Sequence, residues 1–225
     1  EISACLVGSE MCIRDRKTPL SALMMYQEII ENEPENFETV KEFSLKIGTA
    51  LKRMEQLIQS MLKITRIDAG SISFEKSNYS IPNIINHAIS ELTTRADNEK
   101  KEIVIDGDLE QMLYCDIEWT GEAIGNIIKN ALDHTDTGGK ISISWEQTPA
   151  MIRIFITDNG HGISQEDIHH IFKRFYRSKN TSESQGIGLG LPLAKEIVEG
   201  QGGILSVQSE RLQGTTFTLS FLTES

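Results

Sequence analysis

The chain has 225 residues, 24% of them charged and 39% hydrophobic, which is the balance of a soluble globular protein long enough to bury a real core. Its net charge of -11 argues against a nucleic-acid binder, and Cys5, Cys12 and Cys115 form no CxxC pair, which argues against a disulfide framework or zinc site and fits a reducing cytoplasmic setting. No apolar run approaches the roughly 18 residues of a membrane span, and no basic-then-apolar leader opens the chain, so this fragment is expected to make no membrane contact.

Thr18-Pro19 reads as a helix start, Thr as the N-cap and Pro at the first helical position, followed by an apolar stripe through Leu20, Leu23, Met24 and Ile30. Pro34 ends that helix, and a second runs from about Phe37 to Ile67. Ile47, Leu51, Met54, Ile58 and Met61 alternate spacings of four and three, an a/d seam. Two helices cannot bury such a seam alone, so a homodimer closing a four-helix bundle is expected; the alternative is that the stripe packs on the rest of the chain. Asp68-Ala69-Gly70 stops the long helix. Beyond it "SISFE" alternates like a strand, residues 81–101 read as one amphipathic helix, and "EIVID" and "QMLYC" read as short strands. A strong helix follows, with Asp116 as its N-cap, then a hairpin of "KISISWEQ" and "MIRIFITD". A short helix over about Gln165 to Ile171, a polar loop, a helix from about Leu191 to Glu199 and the strands "ILSVQS" and "TTFTLSFL" close the chain. Strands and helices mix without regular β-α-β alternation, which predicts an α+β sandwich, a mixed sheet with helices on one face.

Three clusters carry the chemistry. Glu122, Asn126, Asn130 and His134 recur every four residues on one helix face. That face can be merely solvated, but Asn is a poor interior helix former, and an amide carbonyl is a hard oxygen ligand suited to a hydrated Mg²⁺. "DNGHGI", Asp158 to Ile163, sets a carboxylate at a strand end before two glycines; it can hold a base, or be a simple turn. "GIGLGLPLAKEIVEG" runs glycines into a helix N-terminus, which suits phosphate, whereas the polar loop ahead of it fails the Rossmann pattern and no P-loop signature occurs.

In this order the three clusters resemble the catalytic ATP-binding domain of bacterial two-component sensor histidine kinases. "NIIKNALDHT" is similar to the family's N box, "DNGHGI" to its first glycine box, "IFKRFYR" to its F box, "GIGLGL" to its second glycine box and "GTTFTLSF" to its closing segment. The resemblance runs from Lys17 onward. It implies a helical hairpin, half of a dimeric four-helix bundle, over residues 17–69, and an α/β sandwich of the histidine-kinase ATPase type over 70–225. It implies ATP and Mg²⁺ as cofactors, with Asn130 on the metal and Asn126 beside it, Asp158 accepting from the adenine amino group, and Gly160 and Gly162 admitting the nucleotide. Residues 176–185 would be the ATP lid, hinged at Gly186, Gly188 and Gly190, which face the phosphates, with Leu189 among the ATP-binding residues and Phe172 and Phe175 as lid anchors or ordinary core. Thr216 would approach the adenine. Asp133 stands where many members carry Lys, and His134 where an aromatic ring packs near the nucleotide. The function implied is autophosphorylation of a histidine and transfer to a response-regulator aspartate, in the cytoplasmic part of a membrane sensor. Other ATPases of the superfamily and a non-catalytic ATP-binding module are the rival readings. His169-His170 lacks ligand partners at zinc spacing, and His87 and His161 read as surface residues.

The hairpin poses one discrepancy. "KTPL", Lys17 to Leu20, matches the second half of the family's phosphoacceptor motif, which places the histidine at residue 14, yet residue 14 is Arg. An arginine is always protonated and offers no lone pair, so it cannot accept phosphate. Thr18 lies where the family places a phosphatase-assisting polar side chain. Leu6 to Asp15 can be encoded by CTC GTG GGC TCG GAG ATG TGT ATA AGA GAC, which resembles a transposase sequencing adapter. Residues 1–16 are therefore expected to be non-native sequence fused to a truncated gene. The rival, a kinase that lost its histidine by evolution, does not explain why the mismatch stops at Lys17.

Overall fold

The computed structural model describes residues 20–178 and 187–223. It divides into two compact units, the first ending at Leu62 and the second beginning at Lys63. The division falls inside a helix rather than at the Ala69/Gly70 boundary read from sequence.

The first unit is an antiparallel pair of helices, α1 over residues 20–32 and α2 over Phe37–Asp68, whose last turns belong to the second unit. The predicted break at Pro34 is a turn. Asn36 caps α2, its Oδ1 accepting from the Thr39 N–H at 3.3 Å, and Tyr26 of α1 packs on Phe43 of α2 with ring centroids 5.5 Å apart. The seam differs from its predicted register. Leu57 is buried, whereas Leu51 and Ile58 are each 53% exposed.

The second unit is a five-stranded sheet with helices packed on it. Its strands are β2 (Glu102–Asp106), β4 (Lys140–Gln147), β5 (Met151–Asp158), β6 (Ile204–Glu210) and β7 (Gly214–Leu222), in the order β2-β4-β5-β7-β6. The β2–β4 pair is parallel and the others antiparallel, so the sheet is mixed as predicted. Period-2 alternation buries Ile152, Ile154 and Ile156 of β5 and Phe217, Leu219 and Phe221 of β7 against the helices. Those helices are α3 (Ile81–Ile89), α5 (Ile117–His134) and α7 (Gly190–Gly200). Each presents an apolar stripe, such as Ile124, Ile127, Ile128 and Leu132 on α5. Full burial of side chains this size stabilises the fold by roughly 1.5–3 kcal/mol apiece.

Two predicted elements take another form. Residues 71–75 form no strand: the Glu75 N–H donates to the Asp116 carboxylate at 2.9 Å instead of to a neighbouring strand. The paired segment is β1 (Ser77–Ser80), antiparallel to β3 (Met112–Cys115) in a separate two-stranded sheet. The helix predicted over 81–101 breaks after α3, and α4 covers Leu92–Asn98. At the break the Ser90 hydroxyl donates to the His87 carbonyl at 3.0 Å, a local bond that competes with helix continuation. The helix α6 is also shorter than predicted, Gln165–Ile168.

Asp116 caps α5 as expected, accepting from the N–H groups of Glu118 and Trp119. It is also part of a buried network: its own N–H donates to Gln201 Oε1 at 2.8 Å, and Gln201 Nε2 donates to the Thr120 hydroxyl at 3.0 Å. The start of α5 is thereby tied to the end of α7, and both helices are positioned over the sheet.

Candidate functional site

A cavity of about 380 Å³ opens where β5 ends, and its floor follows from strand phase. Asp158 continues the inward alternation of Ile152, Ile154 and Ile156, so its carboxylate is carried onto the helix side of the sheet, where it is 4% exposed. Its Oδ1 accepts from the Gly160 N–H at 2.9 Å. Burial pushes the Asp158 carboxyl above its ordinary value, against the lowering effect of the Gly160 and Thr215 backbone bonds.

Strand phase also corrects one assignment. Thr215, not Thr216, faces the cavity. Thr215 pairs in register with Asp158 and is buried beside it, whereas Thr216 pairs with Thr157 and its hydroxyl meets the Thr157 hydroxyl at 3.0 Å on the other face of the sheet. The phase was readable in "GTTFTLSF": Thr215 shares parity with Phe217, Leu219 and Phe221.

From α5, the cavity is lined by Asn130, Asp133 and His134. The face predicted to act as one is divided. Glu122 is held by Lys63 at 2.6 Å, and Asn126 lies under the start of α7, its Oδ1 against Gly190. Burial lowers the His134 imidazole below its ordinary value, leaving a neutral ring at the wall. Asp133, the departure from the family pattern, is bonded by Arg95 Nη2 of α4 at 2.6 Å, and Arg95 Nε also meets Glu99 at 2.6 Å. Burial opposes the Arg95 charge, but the bonds to Asp133 and Glu99 outweigh it and hold the guanidinium above its usual range. The negative charge that replaces the family lysine is thus countered from outside the helix.

The two glycine boxes form close backbone contacts. At Gly162, φ is +66° and an added Cβ would stand 2.1 Å from the Glu210 carbonyl oxygen, so the loop after β5 rests directly on the end of β6. At Gly188, φ is +74° and an added Cβ would stand 2.8 Å from the Tyr176 carbonyl oxygen. Gly160 lies behind the wall, against the His134 carbonyl, and Leu189 is buried as the residue leading into α7. Arg14, Thr18 and Gly186 lie outside the described residues.

The sequence reading missed a polar knot in the lining of the cavity. Asp167 accepts from the Tyr176 hydroxyl, from Ser178 Oγ at 2.8 Å and from Ser164 Oγ at 2.9 Å. The Tyr176 bond is the main cause holding Asp167 below the usual carboxylate value, and in return Asp167 pushes the Tyr176 phenol up to about 12. The available signal was Ser164-Gln165-Glu166-Asp167, a helix-start pattern whose Ser does cap α6. Of the two candidate lid anchors, Phe172 stacks edge-on against core Phe217 at 6.4 Å, while the Phe175 N–H donates to the Gly188 carbonyl at 2.8 Å. Arg177 lines the cavity near that contact. Among the described residues no helix is long and apolar enough to cross a membrane, and no cluster of His, Cys, Asp and Glu could hold a metal by itself.

Two family models match the chain. Residues 15–70 match the His Kinase A (phospho-acceptor) domain, and residues 115–225 match the histidine kinase-, DNA gyrase B- and HSP90-like ATPase. Sensor-like histidine kinase SenX3 of Mycobacterium tuberculosis is 28% identical over 206 residues, which is 91% of this chain and 50% of that protein. Sensor histidine kinase YvrG of Bacillus subtilis is 30% identical over 211 residues, 92% of this chain and 36% of that protein. The chain therefore spans half or less of the length of these relatives. Among solved structures, Acinetobacter baumannii histidine kinase AdeS superposes with a TM-score of 0.76 at 18% identity, over 93% of this chain and 97% of that one. Histidine kinase ThkA, solved in complex with response regulator protein TrrA, gives 0.77 at 19% identity, over 100% of this chain and 62% of that one.

Proposed function

Because this chain belongs to the sensor histidine kinases, we propose that its second unit binds Mg-ATP in the cavity below β5. The observation that carries the reading is the convergence of Asp158 and Gly162, Asn130 and Gly188 on one cavity from three separate segments. Asp158 accepts from the exocyclic amine of the base, and its buried carboxylate discriminates against bases that present an acceptor there. Neutral His134 packs at the wall. The N-terminus of α7 and the glycines before it face the phosphates with backbone N–H groups. Mg²⁺ characteristically takes one or two protein ligands and completes its shell with phosphate oxygens and water. A single amide oxygen, Asn130, in a site without an acidic cluster fits that donor set.

In its complete form the protein autophosphorylates a histidine at position 14 and passes the phosphoryl group to an aspartate of a response-regulator receiver domain. The imidazole nitrogen attacks the γ-phosphorus in line and ADP leaves, so positioning and charge neutralisation supply the catalysis. The exposed Leu51, Ile58 and Leu62 support a homodimer closing through the hairpin. The setting is the cytoplasmic side of a membrane sensor. As written, the chain binds nucleotide without accepting phosphate, because Arg14 stands where the histidine belongs. Residues 1–16 are non-native and adapter-derived, and native sequence starts at Lys17, where the match to the phosphoacceptor motif begins in "KTPL". Finding the codons of Leu6 to Asp15 in the source genome would remove that origin.

Calorimetric titration with Mg-ATP tests the binding, and labelled ATP tests the chemistry. The wild-type chain is expected to take no acid-labile label and Arg14→His to gain it. Label on the chain as written, or no ATP binding, overturns the reading.

A further inference from the structure

Leu212 sits in the turn between β6 and β7 with φ +66°, the left-handed region that is strained for a residue with a side chain. It is also 77% exposed. Both choices run against the residue: a turn at this φ favours Gly or Asn, and an isobutyl group in water gains nothing. The other positive-φ side chains among the described residues do not share this combination. Lys100 is polar and Phe175 is half-buried.

The turn is held in place. The Leu212 N–H donates to the His161 carbonyl at 2.7 Å, and the Gln213 N–H donates to the Glu210 carbonyl at 3.0 Å. Gly162 rests on the Glu210 carbonyl, and the Ile163 N–H donates to Ser209 Oγ at 2.8 Å, so the turn and the loop after Asp158 form one joined wall. Arg211 and Leu212 both line the cavity at that wall, together with Asp158 and Thr215.

We propose that the Arg211–Leu212 turn is a lip for the base of the bound purine nucleotide, with Leu212 covering the face of the ring whose edge Asp158 holds. The inference rests on the nucleotide reading given above and goes beyond it by naming a specificity-determining contact. A flat apolar base would recover the exposure of Leu212, and the anchored turn keeps the side chain over the cavity before the ligand arrives.

The test is titration of the full chain and its variants with Mg-ATP, adenosine and inorganic tripolyphosphate. Leu212→Gly and Leu212→Asn, which both accept the left-handed backbone, are expected to weaken Mg-ATP and adenosine by roughly tenfold each. Tripolyphosphate binding is expected to stay unchanged, and Leu212→Met to retain affinity. Leu212→Gly is expected to melt no lower than wild type, which separates loss of cover from loss of fold. Wild-type binding of Mg-ATP with both variants unchanged overturns the lip and leaves the nucleotide site standing. Equal weakening of tripolyphosphate also overturns it, since the turn would then shape the whole cavity. A wild type that binds no Mg-ATP overturns both.

Discussion

Replacing Gly162 by alanine brings together two separable costs. The first is conformational: φ is +66°, and a Cβ there costs about 1–2 kcal/mol. The second is steric. The added Cβ would stand 2.1 Å from the Glu210 carbonyl oxygen and 2.9 Å from its carbon, where ordinary contact begins near 3.4 Å. Neither side yields cheaply, because Glu210 is paired with Gly214 at the end of the β6–β7 ladder and the Ile163 N–H is bonded to Ser209. Moving two anchored backbones apart raises the total to about 4 kcal/mol, near the upper end for point substitutions. In a domain of this size that lowers the melting midpoint by about 8–16 °C. Gly138→Ala is the control. Its φ is +83° but nothing lies within 4 Å of the added carbon, so only the first cost applies. The expected loss is about 1–2 kcal/mol, or roughly 2–8 °C. Thermal unfolding followed by circular dichroism measures both variants, and Mg-ATP titration adds a functional readout: Gly162→Ala weakens binding and Gly138→Ala does not. Equal melting losses for the two variants would refute the close approach of the loop to β6.

Other expectations follow from the same site. Because the folded Asp158 carboxyl is raised, this group contributes stability present below the ordinary carboxylate value of 3.8 and lost as pH rises through the raised one. Urea midpoints of Asp158→Asn should therefore lack that downward contribution above pH 3.8; identical pH slopes in both proteins would contradict the burial effect. Asn130→Ala should weaken Mg-ATP by about tenfold or more while leaving adenosine unaffected, and chelating Mg²⁺ should do the same to wild type but add nothing in the variant. Glutamate at both Leu51 and Ile58 should convert a dimer to a monomer in analytical ultracentrifugation while helicity is kept, since both side chains are already half-exposed in one chain. An unchanged sedimentation coefficient would place the dimer elsewhere.

The local features were legible because their causes are local. The apolar period of α5, the alternation of β4, β5 and β7, the Asp116 cap and the break at Pro34 each depend on residues a few positions apart. The glycines of "DNGHGI" and "GIGLGL" were readable for the same reason, and the missing nucleophile is a matter of covalent identity: no fold gives Arg14 a lone pair. Only the tertiary structure could decide the rest. Glu75 gives its N–H to Asp116, 41 residues away, and the strand predicted at 71–75 does not form. Arg95 reaches Asp133 across 38 residues and counters the charge that stands where many members of the family carry a lysine. Thr215 lay between these cases, readable from strand parity but meaningful only once Asp158 was its partner across the ladder. The chain's periodicities determine which elements form and which residues face inward. The cavity depends on which distant backbone donors, charges and turns meet at one strand end, and that pairing exists only after the sheet has closed.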